Sequence, residues 1–131
     1  KLNDSADGSC MIIVATDAPL EARNLKRIAK RAMLGLAKTG GIASNGSGDY
    51  VITFSTAKET RIPYQSESKF KYSRVLRNSA MSPLFMATIE ATEEAILNSL
   101  FAAKTMEGHR GKIEELPIEK VLEIIKKHRN E

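Results

Sequence analysis

Residues 7–20, DGSCMIIVATDAPL, contain the strongest fold signal in the sequence. Within them, residues 10–15 form an unbroken apolar run rich in β-branched side chains, which is typical of a strand buried on both faces. Gly8 and Ser9 stand directly before this run, and glycine at that point lets the backbone bend freely. Asp17 follows the run and is a reasonable helix N-cap. The stretch therefore predicts a central strand with a hydroxyl at its entrance and a helix after it.

Signals for helix and strand alternate along the rest of the chain. Apolar residues recur at helical spacing in three segments. We predict helices at residues 18–38, 83–104 and 118–127. Residues 49–56 alternate between apolar and polar side chains, which predicts a second strand. Residues 57–79 and 106–117 are expected to be loops. Two strands are too few to close a sheet, so we expect further strands from an upstream segment or a partner.

The composition is that of one ordinary globular domain, with 131 residues, 42% of them hydrophobic and 27% charged. A net charge of +4 without a dominant basic block or an aromatic-plus-basic pattern disfavours nucleic-acid binding. One cysteine excludes an internal disulfide and is compatible with the cytoplasm, and no apolar run is long enough to span a bilayer. The chain starts at Lys1 without a signal-peptide pattern, so we expect a cytoplasmic, downstream piece of a longer precursor.

The Gly8-Ser9 pair admits two interpretations. In the first, Ser9 is a nucleophile whose hydroxyl cuts the Gly8–Ser9 bond and leaves Ser9 with a free α-amine. That amine, with a reference pKa of about 7.7–8.0, is a general base on the same residue as the hydroxyl that it deprotonates. In the second, the pair is a turn that enters a strand, and the dipeptide alone favours this reading.

A second polar cluster, residues 45–49 (NGSGD), stands at the start of the second predicted strand. Residues two apart at a strand start face the same side, so Ser47 and Asp49 could together hold the Ser9 ammonium or relay its proton. The alternative is a glycine-rich hairpin turn with an ordinary turn aspartate. The two histidines have no partner at metal-ligand spacing, so we expect no metal and no cofactor.

Four segments, taken in order, resemble the self-processing aminopeptidases of the L-aminopeptidase/D-Ala-esterase-amidase family, which includes the β-peptidyl aminopeptidases. They are GSCMIIVATDAPL at residues 8–20, RIAKRAMLGLAKTG at 27–40, NGSGDYVITFST at 45–56 and ATEEAILNSLFAA at 91–103. The resemblance runs from about Gly8 to Lys104. Its most specific part is the ordered pair GS–strand–ATDAPL and GSGD–strand–FST.

The resemblance implies an α/β fold, a four-layer αββα sandwich similar to that of N-terminal nucleophile hydrolases and completed by an upstream segment of the precursor. It implies that residues 1–8 are the tail of that segment and that residues 9–131 are the nucleophile-bearing part of a single catalytic domain. It assigns Ser9 as the nucleophile and Ser47 with Asp49 as its supporting pair. Asp49 stands where the family often has Glu, so the carboxylate reach is one methylene shorter.

The implied activity is that of an aminopeptidase that releases N-terminal residues from small peptides, amides or esters through an acyl-enzyme on Ser9. The implied partners are the upstream chain, whose Asn and Tyr complete the oxyanion hole and pocket, and further copies in a homo-oligomer. Neither nucleic acid nor a membrane is an expected partner. Preference for L-, D- or β-amino acids stays open. The alternatives are an ornithine-acetyltransferase-like acyltransferase, which uses Thr as nucleophile, and a basic nucleic-acid-binding module built on residues 23–31.

Overall fold

The computed structural model describes residues 8–109 and 111–129 of the chain. In this part the elements are β1 (Met11–Thr16), α1 (Ala22–Lys38), β2 (Tyr50–Ser55), α2 (Ser82–Ala102), β3 (Met106–Gly108), β4 (Gly111–Ile113) and α3 (Ile118–Arg129). The chain divides into two compact units, one up to Glu93 and one from Glu94 onward. The mixture of strands and helices confirms the predicted α/β class. The predicted upstream tail lies outside the described residues except for Gly8.

The first unit is built on a strand–helix–strand motif. Strands β1 and β2 are parallel and fully in register, from Met11 opposite Tyr50 to Thr16 opposite Ser55. Parallel neighbours require a long crossover connection, and α1 provides it. Both predicted strands are therefore confirmed, and their starting ends lie at the same edge of the sheet.

Helix α1 begins at Ala22, so the predicted start near residue 18 with Asp17 as N-cap is wrong. The residue before a proline is disfavoured in helical conformation, which applies to Ala18 before Pro19. The carbonyl of Ala18 instead accepts a hydrogen bond from Ser55 Oγ at 2.6 Å. A contact with the end of β2 therefore keeps this segment out of the helix, and the sequence pattern does not contain that contact.

The core of the first unit lies between α1, the segment before it and the start of α2. Leu20, Ile28 and Met81 are buried, each with at most 2% of its surface exposed. The partly buried side chains packed against them are Val14, Ala18, Leu25, Leu76, Leu84 and Phe85. Helices α1 and α2 approach closely at Gly35, where an added Cβ would lie 2.6 Å from both the Ile89 carbonyl oxygen and Thr92 Cβ. A glycine is needed there because any side chain would clash with α2.

One face of the β1–β2 sheet is apolar and uncovered in the part of the chain that the structure describes. Met11 is 66% exposed, Ile13 67% and Ile52 53%, and Tyr50 and Phe54 lie on the same face. The prediction that β1 is buried on both faces is therefore wrong for these residues. The physical reason is that α1 covers the other face and the described residues supply no second layer on this one.

The second unit contains a short antiparallel hairpin and the helix α3. Strands β3 and β4 pair from Met106 opposite Ile113 to Gly108 opposite Gly111. A loop was predicted here, and Gly111, with a φ of +133°, permits the backbone that starts β4. Helix α3 begins at Ile118 as predicted. Among the residues described, no helix has both the length and the apolarity to cross a membrane.

Candidate active site

The entrances of β1 and β2 lie side by side because the strands are parallel and start in register. Since Met11 pairs with Tyr50, Ser9 and Gly48 stand at equivalent positions before the two strands. The main-chain N–H of Gly48 donates a hydrogen bond to Ser9 Oγ at 2.9 Å. Ser9 itself is exposed. The predicted nucleophile is thus held at the sheet edge by a main-chain group while its oxygen stays accessible.

The Ser47 hydroxyl lies between a carboxylate and a peptide carbonyl. Its Oγ is 2.7 Å from Asp49 Oδ2 and 2.8 Å from the carbonyl oxygen of Gly8. A serine hydroxyl has one proton, so it donates to one of these two acceptors at a time. The Gly8 carbonyl belongs to the Gly8–Ser9 peptide bond. Ser47 is therefore positioned to polarise the bond at which the sequence predicts self-cleavage.

The Asp49 carboxylate contacts one main-chain N–H and one hydroxyl. Its Oδ1 accepts a hydrogen bond from the main-chain N–H of Cys10 at 2.8 Å, and its Oδ2 faces the Ser47 hydroxyl. Asp49 is half-buried, and Cys10 is the residue directly after Ser9. The carboxylate therefore joins the β2 entrance to the β1 entrance. Its shorter reach, compared with a glutamate, is sufficient for both contacts.

The structure brings together all three side chains that the sequence singled out. Ser47 and Asp49 are hydrogen-bonded to each other, as their spacing at a strand start predicts. Ser47 also contacts the carbonyl oxygen of the Gly8–Ser9 peptide bond. Ser9 Oγ is bonded to Gly48, and not to Ser47 or Asp49, within the part of the chain described. The catalytic roles of Ser9, Ser47 and Asp49 stay predictions, but their proximity is a property of the fold.

A cavity of about 390 Å³ opens beside Ser9. Its lining includes Gly8, Ser9, Leu36, Ile42, Ala43 and Ser47. Ala43 has a φ of +48°, in the left-handed region that non-glycine residues adopt uncommonly. Strained backbone of this kind clusters at functional sites. Sequence reasoning missed both Ala43 and the Gly48 N–H, although aligning the two predicted strands by their first apolar residue would have placed Gly48 opposite Ser9.

Two of the basic residues of α1, which the nucleic-acid-binding alternative would use, pack on an aromatic ring. The guanidinium carbons of Arg27 and Arg31 lie 4.8 and 4.1 Å from the centroid of the Phe85 ring. Such cation–π contacts contribute about 0.5–1 kcal/mol at exposed sites. Arg27 also donates a hydrogen bond to Asn24 Oδ1 at 3.0 Å. These contacts give both arginines a structural role and weaken the argument for a nucleic-acid-binding module.

Both histidines belong to the second unit, whereas the Ser9 cavity belongs to the first. His128 Nδ1 lies 3.0 Å from the Ile124 carbonyl oxygen, in the last turns of α3. Within residues 8–109 and 111–129, no three His, Cys, Asp or Glu side chains are grouped so that they could hold a metal ion. The site around Ser9 consists of hydroxyl, carboxylate and main-chain groups.

Comparison with known proteins gives consistent matches. The model of Peptidase family S58 matches residues 1–114. The β-peptidyl aminopeptidase BapA of Sphingosinicella microcystinivorans is 42% identical over 125 residues, which are 94% of this chain and 31% of that protein. Among solved structures, the PH0078 protein from Pyrococcus horikoshii OT3 has a TM-score of 0.82 and 50% identity, over 90% of this chain and 33% of that one.

A second solved structure describes the fold class. The L-aminopeptidase D-Ala-esterase/amidase from Ochrobactrum anthropi has a TM-score of 0.77 and 29% identity, over 88% of this chain and 33% of that one. It is described as a prototype for the serine aminopeptidases and as a new variant of the Ntn hydrolase fold. A serine at the head of a strand, beside a hydroxyl–carboxylate pair, fits this class of N-terminal nucleophile hydrolases.

The chain belongs to Peptidase family S58, as the match over residues 1–114 shows. The resemblance that the sequence motifs indicated is thereby confirmed. The chain spans about a third of the length of these relatives.

Proposed function

We propose that this chain is the nucleophile-bearing part of an aminopeptidase that releases N-terminal residues from small peptides, amides or esters. The observation that carries the proposal is that Ser47, which is hydrogen-bonded to Asp49, contacts the carbonyl oxygen of the Gly8–Ser9 bond, in a chain of Peptidase family S58. Its relatives BapA and the Ochrobactrum anthropi enzyme are named as aminopeptidases, which supports the same reaction class. Ser9 as nucleophile counts against the acyltransferase alternative, which uses Thr.

The first step is cleavage of the precursor by its own serine. Ser9 Oγ attacks the Gly8 carbonyl carbon, and the negative charge that develops on the carbonyl oxygen is stabilised by the Ser47 hydroxyl, 2.8 Å away. The C–N bond then breaks, and the Ser9 nitrogen leaves as an amine after it has gained the hydroxyl proton. Water hydrolyses the resulting ester, which yields a carboxylate on Gly8 and a free α-amine on Ser9.

The second step is turnover of substrate by the processed enzyme. The neutral α-amine of Ser9 takes the proton from Oγ as the oxygen attacks the carbonyl of the substrate's N-terminal residue. The amine of the substrate leaves with that proton, and water then hydrolyses the acyl-enzyme. Asp49, anchored through the Cys10 N–H next to Ser9, supports the ammonium that exists between these proton transfers.

The upstream part of the same precursor is the partner that we propose for the uncovered sheet face. Met11, Ile13 and Ile52 expose an apolar surface, and relatives of this chain are about three times as long. That upstream part would add the missing layer of a four-layer sandwich and would supply the oxyanion-hole Asn and pocket Tyr that the family resemblance implies. We place the resulting pairs in a homo-oligomer in the cytoplasm.

The test of the proposed function is the intact mass of the full-length precursor after purification. Wild-type protein is expected to split between Gly8 and Ser9 without added protease and to hydrolyse aminoacyl-p-nitroanilides, whereas Ser9→Ala is expected to do neither. Ser44→Ala is the matched control, because Ser44 lines the same cavity and its hydroxyl makes no hydrogen bond within the described residues. Unaided cleavage at this bond in Ser9→Ala would refute the proposal.

A further inference from the structure

The hydrogen-bond donor to the Ser9 oxygen is a main-chain group, so no side-chain motif in the sequence identifies it. The N–H of Gly48 lies 2.9 Å from Ser9 Oγ. We propose that this N–H is a catalytic group, which orients the nucleophile for attack and stabilises the negative charge on Oγ each time that oxygen leaves a carbonyl carbon. The inference rests on the proposed function, because it concerns the same reaction at the same serine.

The hydrogen bond restricts an exposed side chain that would otherwise sample several rotamers. A serine oxygen has one proton and two lone pairs, and the Gly48 N–H occupies one lone pair. The Ser9 proton must therefore point away from Gly48. The strand register holds this arrangement in place, because the Tyr50 N–H donates to the Cys10 carbonyl at 3.0 Å directly beside it. The Gly48 N–H thus belongs to the hydrogen-bonded edge of the sheet.

The bond strengthens when charge develops on the oxygen. In hydrolysis of the acyl-enzyme, the water oxygen bonds to the acyl carbon, and the C–Oγ bond breaks with its electron pair on Oγ. The Ser9 amine takes a proton from the attacking water, and the resulting ammonium passes that proton to Oγ as the C–Oγ bond breaks. A hydrogen bond to an ionised acceptor is roughly twice as strong as one between neutral groups. A fixed donor aimed at Oγ therefore favours the departure of the serine oxygen, and deacylation is the step that depends on it most.

Two substitutions at Gly48 distinguish the effect of its N–H from the effect of its lacking a side chain. Gly40 and Gly111 have positive φ angles, and Gly48 is not among the glycines with that backbone conformation. A Cβ at residue 48 would lie 3.4 Å from Ser9 Oγ and 3.6 Å from Tyr50 Cε2, which is ordinary contact. Gly48→Ala therefore keeps the donor and adds the Cβ, whereas Gly48→Pro removes the donor and also restricts the backbone of Ser47, so replacement of the residue-48 amide by an ester is measured beside it.

The experiment compares these two variants in the full-length precursor. Self-cleavage is followed by intact mass, and deacylation is followed by the burst and steady-state phases of p-nitroanilide release. We expect both reactions in Gly48→Pro to be slower than in Gly48→Ala by about 10²-fold or more, the usual effect of removing one donor to a reacting oxygen. Where self-cleavage still proceeds, deacylation should fall more than acylation, so that the acyl-enzyme accumulates.

Circular dichroism establishes whether Gly48→Pro is folded. Replacement of the residue-48 amide by an ester, which removes only the N–H and leaves the Ser47 backbone unrestricted, is compared with the wild type in the same assays. The inference would be overturned if the protein without the N–H reacted at a rate within about threefold of the protein that retains it, which is Gly48→Ala for the proline variant and the wild type for the ester variant. This result is distinct from failure of the proposed function, because Ser9→Ala would still be uncleaved and inactive.

Discussion

Asp49→Asn tests whether the carboxylate acts on the Ser9 amine or only shapes the turn. The substitution retains one carbonyl oxygen, which can keep the hydrogen bond from the Cys10 N–H. The new NH2 group then faces Ser47 Oγ and donates to it, so the Ser47 proton has only the Gly8 carbonyl left as acceptor. Self-cleavage is therefore expected to persist, while the processed enzyme loses the negative charge beside its base.

The size of the effect follows from the distance between the two groups. The Cys10 nitrogen is 2.8 Å from Asp49 Oδ1. The Ser9 nitrogen lies one residue earlier, at most about 3.5 Å further along the chain, so amine and carboxylate are no more than about 6 Å apart. Unit charges at about 6 Å attract by about 0.7 kcal/mol in water and about 1.4 kcal/mol at half that dielectric constant. The carboxylate thus favours the charged form of the Ser9 amine and raises the pKa of that amine.

The assay is the pH dependence of kcat/KM for the processed enzyme. Activity requires the neutral Ser9 amine, so kcat/KM rises with pH through the pKa of that amine. Because the carboxylate raises this pKa, it shifts the rising limb of the profile to higher pH. Asp49→Asn is expected to move the limb down by about 0.5–1 pH unit and to lower kcat by about 10²-fold. The matched control is Asp17→Asn, since Asp17 is exposed just after the far end of β1. An unshifted limb in a folded, processed Asp49→Asn protein would refute the coupling.

Two further predictions concern the Gly8–Ser9 bond and the uncovered sheet face. Ser47→Ala removes the donor 2.8 Å from the Gly8 carbonyl, so self-cleavage of the precursor should slow by about 10²–10³-fold in a mass time course. A rate within about threefold of the wild type would mean that another group stabilises the oxyanion. Residues 9–131 expressed alone should be poorly folded and inactive, because the Met11–Ile13–Ile52 surface is exposed, and co-expression with the upstream chain should restore both properties. An active, cooperatively melting fragment would contradict this.

The strand pair and the site were predictable because short-range signals and one topological rule determine them. An unbroken apolar run and an alternating segment identify β1 and β2. Parallel pairing then brings together the polar residues before each strand, which are Ser9 in one case and Ser47 with Asp49 in the other. Apart from the pairing of β1 with β2 itself, no distant contact is required to place these three residues at one edge.

The features that sequence reasoning missed depend on contacts or groups that have no local pattern. The start of α1 is delayed because Ser55, far along the chain, donates to the Ala18 carbonyl. Strands β3 and β4 have three residues each, which is too short for an alternation to be recognised. The Gly48 N–H is a main-chain donor, and any non-proline residue carries one, so only the register reveals its importance.

The contact between Ser47 and the Gly8 carbonyl also determines when the precursor can be cut. The two residues are 39 positions apart, and they meet only because β1 and β2 are paired. In an unfolded or half-synthesised chain, neither the Ser47 hydroxyl nor the Gly48 N–H is near the Gly8–Ser9 bond. Under the proposed mechanism, this bond is therefore stable until the sheet has formed. The new N-terminus would then appear only in molecules whose sheet has formed, so the cleaved bond would be a permanent covalent marker of correct folding in each molecule.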